Sequence, residues 1–152
     1  VEEPKVQEHS KVVARRRAHS WIVGAGIVLN LLFALPLLIV PESVLGLLSI
    51  PVEGPIWIRF SGLLLLILSV FYVPVIVDLD RYRIYAWLAI VPSRFSGATF
   101  FGLAVFACGA PKGFIVGLLL DGTIGLLSLV VLSGLTVAEH RARRDTDRGT
   151  AQ

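Results

Sequence analysis

The sequence predicts an all-α integral membrane protein: a four-helix bundle of up-down topology, with a short interfacial helix after the first span. Three observations carry this. First, 55% of the 152 residues are hydrophobic and 16% charged, with a mean hydropathy of +0.79. A soluble domain has about a quarter of its residues charged. Second, the apolar residues are gathered. Residues 21–40, 56–77 and 113–138 hold almost no charge, whereas 1–20 and 139–152 hold most of it. These stretches are apolar all round, without the polar face a soluble helix keeps, so lipid or other helices must surround them. Third, the basic residues are segregated by side, as the positive-inside rule requires.

The length fits one domain, a membrane domain over 21–138 between two basic cytoplasmic tails, 1–20 and 139–152. The first tail carries Lys5, Lys11, Arg15, Arg16 and Arg17. It resembles a signal-peptide n-region, but the apolar stretch after it is about twice a typical h-region and lacks an A-x-A site. It is therefore expected to be a retained span, Trp21–Val40, with Trp21 at the interface. About 20 residues at 1.5 Å each cross the hydrocarbon core. Pro41 ends it. The run from Glu42 to Ile50 is too short to cross and is expected to lie in the headgroup region.

The second span is expected over 56–77, ending at Asp78-Leu79-Asp80-Arg81-Tyr82-Arg83. The third, 84–110, is interrupted by Pro92, Ser93 and Arg94. It is expected to be one long tilted helix from near Arg83 with a kink at Pro92. The turn Gly109-Ala110-Pro111-Lys112-Gly113 leads to the fourth span, 113–137. With the N-terminus inside, the cytoplasmic segments hold Lys5, Lys11, Arg15, Arg16, Arg17, Arg81, Arg83, Arg94, Arg141, Arg143, Arg144 and Arg148. Arg59 and Lys112 alone lie opposite, out of 14 basic residues. This bias predicts both ends in the cytoplasm of a bacterial inner membrane.

Polar residues at depth are the informative ones in such a chain, because each needs a partner or water. Asp121 sits roughly 12 Å from the outer end of its helix. Gly113, Gly117, Asp121 and Gly125 recur every fourth residue and share one face, where small residues let another helix approach. Asn30 is near mid-depth in the first span, with Gly26 and Ala34 one turn either side. Arg59, near the outer start of the second span, has a side chain long enough to hold Asp121 as an ion pair. Asn30, Arg59 and Asp121 thus form either a buried polar site for a proton, an ion or a ligand headgroup, or a set of contacts that fix helix register. Arg94, Arg81, Arg83 and Trp21 are expected as anchors at the cytoplasmic interface, Arg94 paired with Asp78 or Asp80. The tetrapeptide Arg-Phe-Ser-Gly occurs at 59–62 and 94–97, too short for an internal repeat.

Other chemistries are disfavoured. His9, His19 and His140 lie in or beside the tails, away from the mid-depth positions an intrinsic haem would need, and no metal-ligand spacing is present. Cys108 has no partner for a disulfide, and the excess charge sits beside spans, arguing membrane orientation over nucleic acid. No catalytic motif is recognised. No intrinsic cofactor is expected, and a lipid or quinone is a compatible bound group.

The order of parts resembles small four-helix bacterial membrane proteins of the DoxX-like type. The resemblance rests on Pro41-Glu42-Ser43-Val44-Leu45-Gly46-Leu47-Leu48-Ser49-Ile50-Pro51, on Arg59-Phe60-Ser61-Gly62 and on Asp80-Arg81-Tyr82-Arg83, and covers about residues 20–137. It implies a kinship with small subunits of membrane oxidoreductases that pass electrons to quinone, or with accessory proteins. The leading expectation is a non-catalytic subunit or anchor of a larger membrane complex, partnered by the bilayer and by other subunits or copies of itself. The alternatives are a small transporter or proton-linked carrier using Asp121, Arg59 and Asn30, and a membrane enzyme acting on a lipid or isoprenoid.

Overall fold

The computed structural model describes residues 3–52 and 54–150, with side chains from Ser10 to Arg141 (Glu53 apart) and at Arg144. The side chains of Lys5, His9, Arg143 and Arg148 lie outside the described residues. All regular structure there is helical. Four helical stretches, Ser10–Ile39, Pro55–Val77, Arg83–Phe106 and Lys112–Arg141, are long and apolar enough to cross a membrane.

Proline and glycine set the boundaries. Helix α1 (Glu3–Ile39) stops where Val40, which precedes a proline, leaves helical backbone. Pro41 then opens the seven-residue α2 (Pro41–Leu47) from its first turn, where its missing N–H costs nothing. Gly54, at φ +67°, turns the chain into Pro55 and α3 (Pro55–Val77). After α3 the Arg81 amide donates to Asp78 Oδ1 at 3.1 Å, an Asx-type turn.

The third stretch is continuous but not uniform. Its first part is α4 (Arg83–Leu88), its last α5 (Ser96–Phe106), and Ala89–Phe95 between them is a π-helix. Pro92 has no N–H to donate and its ring crowds the carbonyl one turn back. The chain responds with a wider turn, the π geometry that relieves such a conflict. The kink expected at Pro92 therefore takes the form of a bulge. The helix ends at Phe106, short of Ala110. There the Cys108 and Ala110 amides donate to the Leu103 and Ala104 carbonyls, and Gly109 adopts φ +67°, a left-handed stop. A single 3₁₀ turn, Lys112–Phe114, leads into α6 (Ile115–Thr150).

Contacts between elements fix the order of packing. Helix α1 packs on α3 and α6, and α6 packs on α5 and the π segment; α3 reaches the third stretch mainly through α4. At one end, Arg16 of α1 pairs with Asp80 and with Glu139 of α6, both at 2.7 Å, and Arg83 joins Glu139 at 2.6 Å. At the other end the residue after α2 lies against the 3₁₀ turn before α6, where a Cβ on Gly113 would strike the Leu48 carbonyl. These are the tail end and the loop end below.

Packing is uneven along the bundle. The contiguous core, with Tyr72, Val75, Ala86, Ile90, Leu132 and Leu135, fills the tail half. Outward faces are apolar: Trp21, Leu32, Phe71 and Val130 are all more than half exposed. Such a surface fits lipid, not water. His19, expected among the tails, is instead 1% exposed, with neither ring nitrogen hydrogen-bonded.

A polar wall between two cavities

The site is built on glycines. Gly26 on α1 and Gly125 on α6 flank Arg94, the last residue but one of the π segment. A Cβ on Gly26 would lie 3.1 Å from Arg94 Nη2, and one on Gly125 would lie 3.0 Å from Arg94 Cβ. Bare backbone on both sides lets an arginine stem pass between three helices. Arg94 Nη1 donates to Asp121 Oδ1 at 2.6 Å and Nη2 donates to the Gly26 carbonyl at 3.3 Å. The remaining guanidinium N–H groups have no protein partner among the described residues.

Arg94 is therefore not an interfacial anchor, and its carboxylate partner is Asp121 rather than Asp78 or Asp80. Its side chain is 9% exposed and that of Asp121 is 21% exposed. Arg59 is corrected with it: that side chain is exposed and borders a shallow outer groove with Leu38, Ile56, Trp57, Phe60 and Leu63. The two Arg-Phe-Ser-Gly tetrapeptides thus do different things. Gly62 admits α1, where a Cβ would meet the Ala34 carbonyl at 2.9 Å, whereas Gly97 faces Asp121.

Asn30, one turn beyond Gly26 on α1, is 7% exposed and its amide has no hydrogen-bond partner among the described residues. Asn30, Leu65, Arg94, Phe101 and Asp121 form a wall shared by two cavities. On the loop side lies a chamber of about 180 Å³, otherwise apolar, roofed by Val44 and Leu45 of α2, by Leu48 just after it, by Phe114 of the 3₁₀ turn and by Leu120 of α6. On the flank lies a more open cleft of about 890 Å³ between α3 and the third stretch. Leu68, Phe71 and Tyr72 form one side of the cleft, and Leu88, Gly97 and Phe100 the other. The Tyr72 hydroxyl donates to Ser93 Oγ and ties the two sides together.

Two further glycines shape this wall. Gly117 receives the Phe101 ring, whose nearest atom would be 2.6 Å from an added Cβ, and Phe101 stacks on Phe114 with centroids 5.8 Å apart. Gly97 lies directly against Asp121 Oδ2, so a Cβ there would overlap the oxygen. That oxygen makes no hydrogen bond among the described residues. The wall is net neutral, since Arg94 and Asp121 compensate each other. It still offers unused N–H donors, an unused carboxylate oxygen and a free amide.

The remaining predicted anchors lie near the tail end. Trp21 is 71% exposed. The Arg81 guanidinium sits 5.6 Å over the Tyr82 ring. Arg83 bridges Asp80 and Glu139. The Arg16 guanidinium beside Asp80 holds its carboxyl below the usual carboxylate range. Sequence reasoning missed Gly97, Phe101, Tyr72 and Ser93 as site residues. No family model, curated protein or solved structure matches this chain.

Proposed function

We propose that this chain is a non-catalytic integral membrane protein that binds a lipid-phase amphiphile, head at Asn30–Arg94–Asp121 and chain in the adjoining cleft. The tail end is cytoplasmic on this view, because the basic residues gather there. The observation that carries the proposal is the shared wall: an unpartnered amide on Asn30, a residue only 7% exposed, and a largely buried, partly unsatisfied ion pair face an apolar chamber and a wider cleft. Buried polar groups are ordinarily satisfied, and those that are not ask for a missing partner. A cleft of about 890 Å³ falls within the range of about 300–1,000 Å³ of small-molecule sites.

The geometry supports binding over two other roles. A bare anchor subunit needs no cleft, and its register could be fixed by the ion pair alone. A proton-linked carrier is expected to keep its acid without a fixed cation partner, whereas Asp121 is paired with Arg94 at 2.6 Å. The cleft opens sideways between α3 and the third stretch, so the ligand enters from the bilayer and not from water.

The test uses a set of photoactivatable long-chain probes with different heads, applied to the protein in lipid nanodiscs and mapped by peptide mass spectrometry. Labelling should concentrate on the α3 and α5 faces of the cleft, around Leu68 and Phe100. Gly97→Ala, whose Cβ would overlap Asp121 Oδ2 and push the carboxylate out of place, should reduce it severalfold. Labelling spread evenly over the outward residues Val28, Leu32 and Val130, unchanged by Gly97→Ala, would refute the proposal.

A further inference from the structure

We propose that the site selects a neutral amphiphile whose head both donates and accepts hydrogen bonds, such as a hydroxyl or amide head, and rejects anionic lipids. This rests on the binding role proposed above and names its ligand class. The guanidinium of Arg94 is the feature that would ordinarily attract a phosphate or carboxylate head. Here its charge is already neutralised by Asp121 at 2.6 Å, in a pocket where both side chains are largely buried. An anion entering would shed its hydration and meet no net positive charge, and it would approach the unpartnered Oδ2 of Asp121. Such a desolvated like-charge approach is strongly unfavourable.

The free groups define what fits instead. Unused N–H groups of Arg94 and the Asn30 amide supply donors, and Asp121 Oδ2, which has no hydrogen-bond partner among the described residues, is an acceptor. A hydroxyl donates to the carboxylate oxygen while accepting from the guanidinium or the amide. An ether or ester oxygen alone leaves Oδ2 unsatisfied, and a phosphate confronts it.

Space sets where the chain runs. The chamber of about 180 Å³ slightly exceeds the roughly 150 Å³ that holds one benzene-sized group. It accommodates a small head group or ring at the wall, not an acyl chain. The chain runs instead through the wider cleft along Leu68 and Phe100, the side open to lipid.

The experiment compares monopalmitoylglycerol with hexadecylsulfonate, a permanent anion of the same chain length, as ligands of the full chain in phosphatidylcholine nanodiscs. The wild type should bind the glycerol head about tenfold or more tightly, corresponding to the cost of an uncompensated buried charge. Asp121→Asn, which leaves Arg94 unpaired, should reverse the preference in favour of the sulfonate. If that variant does not fold, the pair of wild-type affinities decides alone. A wild type that takes the sulfonate equally well or better overturns the selectivity while leaving the binding role standing. So does a folded Asp121→Asn protein that keeps the wild-type preference. A wild type that binds neither probe overturns the selectivity and the binding role together.

Discussion

The Arg94–Asp121 pair makes a quantitative demand on stability that depends on which partner is removed. Asp121→Asn keeps shape and removes the charge. Arg94, 9% exposed in its side chain, is then a buried cation that cannot neutralise itself by losing a proton. Breaking a buried pair this way costs about 3–5 kcal/mol. The lower end applies here, because an unfolded helix in a micelle also finds polar partners. Arg94→Met leaves the opposite orphan, a carboxylate 21% exposed to the cavities, whose greater exposure spares it much of the penalty. Its expected cost is about 1–2 kcal/mol, part of it lost packing against Gly125. The double variant removes both charges and should cost about 1–2 kcal/mol, so the two substitutions are coupled by about 3 kcal/mol. Sodium dodecyl sulfate titration in mixed micelles, followed by tryptophan fluorescence, measures each corner of the cycle. Additivity within about 0.5 kcal/mol, or an Arg94→Met variant less stable than Asp121→Asn, would refute a buried, mutually compensating pair.

Other perturbations test the remaining structure. Gly113→Ala drives a Cβ into the backbone carbonyl of Leu48, which cannot swing away, so it should lose about 1–3 kcal/mol in the same titration. Gly46→Ala, in α2 with nothing within 4 Å, should be neutral or stabilise by up to about 1 kcal/mol. His19→Leu replaces a buried imidazole without hydrogen bonds and should raise the thermal midpoint, since an unsatisfied polar group costs about 1–3 kcal/mol. Asp80 titrates lower in the folded chain than in the unfolded one, chiefly through Arg16. Its contribution is therefore complete above about pH 4 and is lost as pH falls through the folded value. Because Asp80 is 57% exposed, Asp80→Asn should cost about 0.5 kcal/mol or less, a difference that disappears in acid and shrinks in high salt.

The helical class was legible because it rests on composition over long windows, where single errors average out. The proline boundaries were legible too, since Pro41 and Pro55 act through local sterics. The glycine ladder on α6 declared a close-packed face, and Gly113, Gly117 and Gly125 each meet a neighbour that a Cβ would strike. What stayed hidden depends on which helix comes opposite. Gly117 announces a close neighbour but not that it is Phe101. Gly97 sits in a tetrapeptide also found at 59–62, and its role exists only because Asp121 lies across from it. The burial of His19 is similar: its neighbours in sequence are basic and polar, while the cover comes from other helices.

Arg94 shows how far a depth argument goes when applied to every charge. Counting from Arg83, the tail-end start of the third stretch, places Arg94 roughly 16 Å in, at 1.5 Å per residue. Asp121 lies roughly 12 Å from the opposite end by the same rise. In a core about 30 Å thick these depths nearly coincide, whereas Arg59 stands roughly 5 Å from the loop end. Depth alone therefore favours Arg94 as the partner of Asp121. Charge segregation by side does not reveal this, because a basic residue at depth is counted with the loop of its own side. Without Arg94 the segregation still holds, because Arg59 and Lys112 remain the two against the rest. The π turn supplies the other half of the explanation. The wider turn at Pro92 resets the helical phase, so the faces before and after it do not follow one 3.6-residue period. The sequence feature that blurs the third span, Pro92-Ser93-Arg94, is thus the one that turns a cation into the bundle. In that position it meets Asp121, and the two together face the cavities.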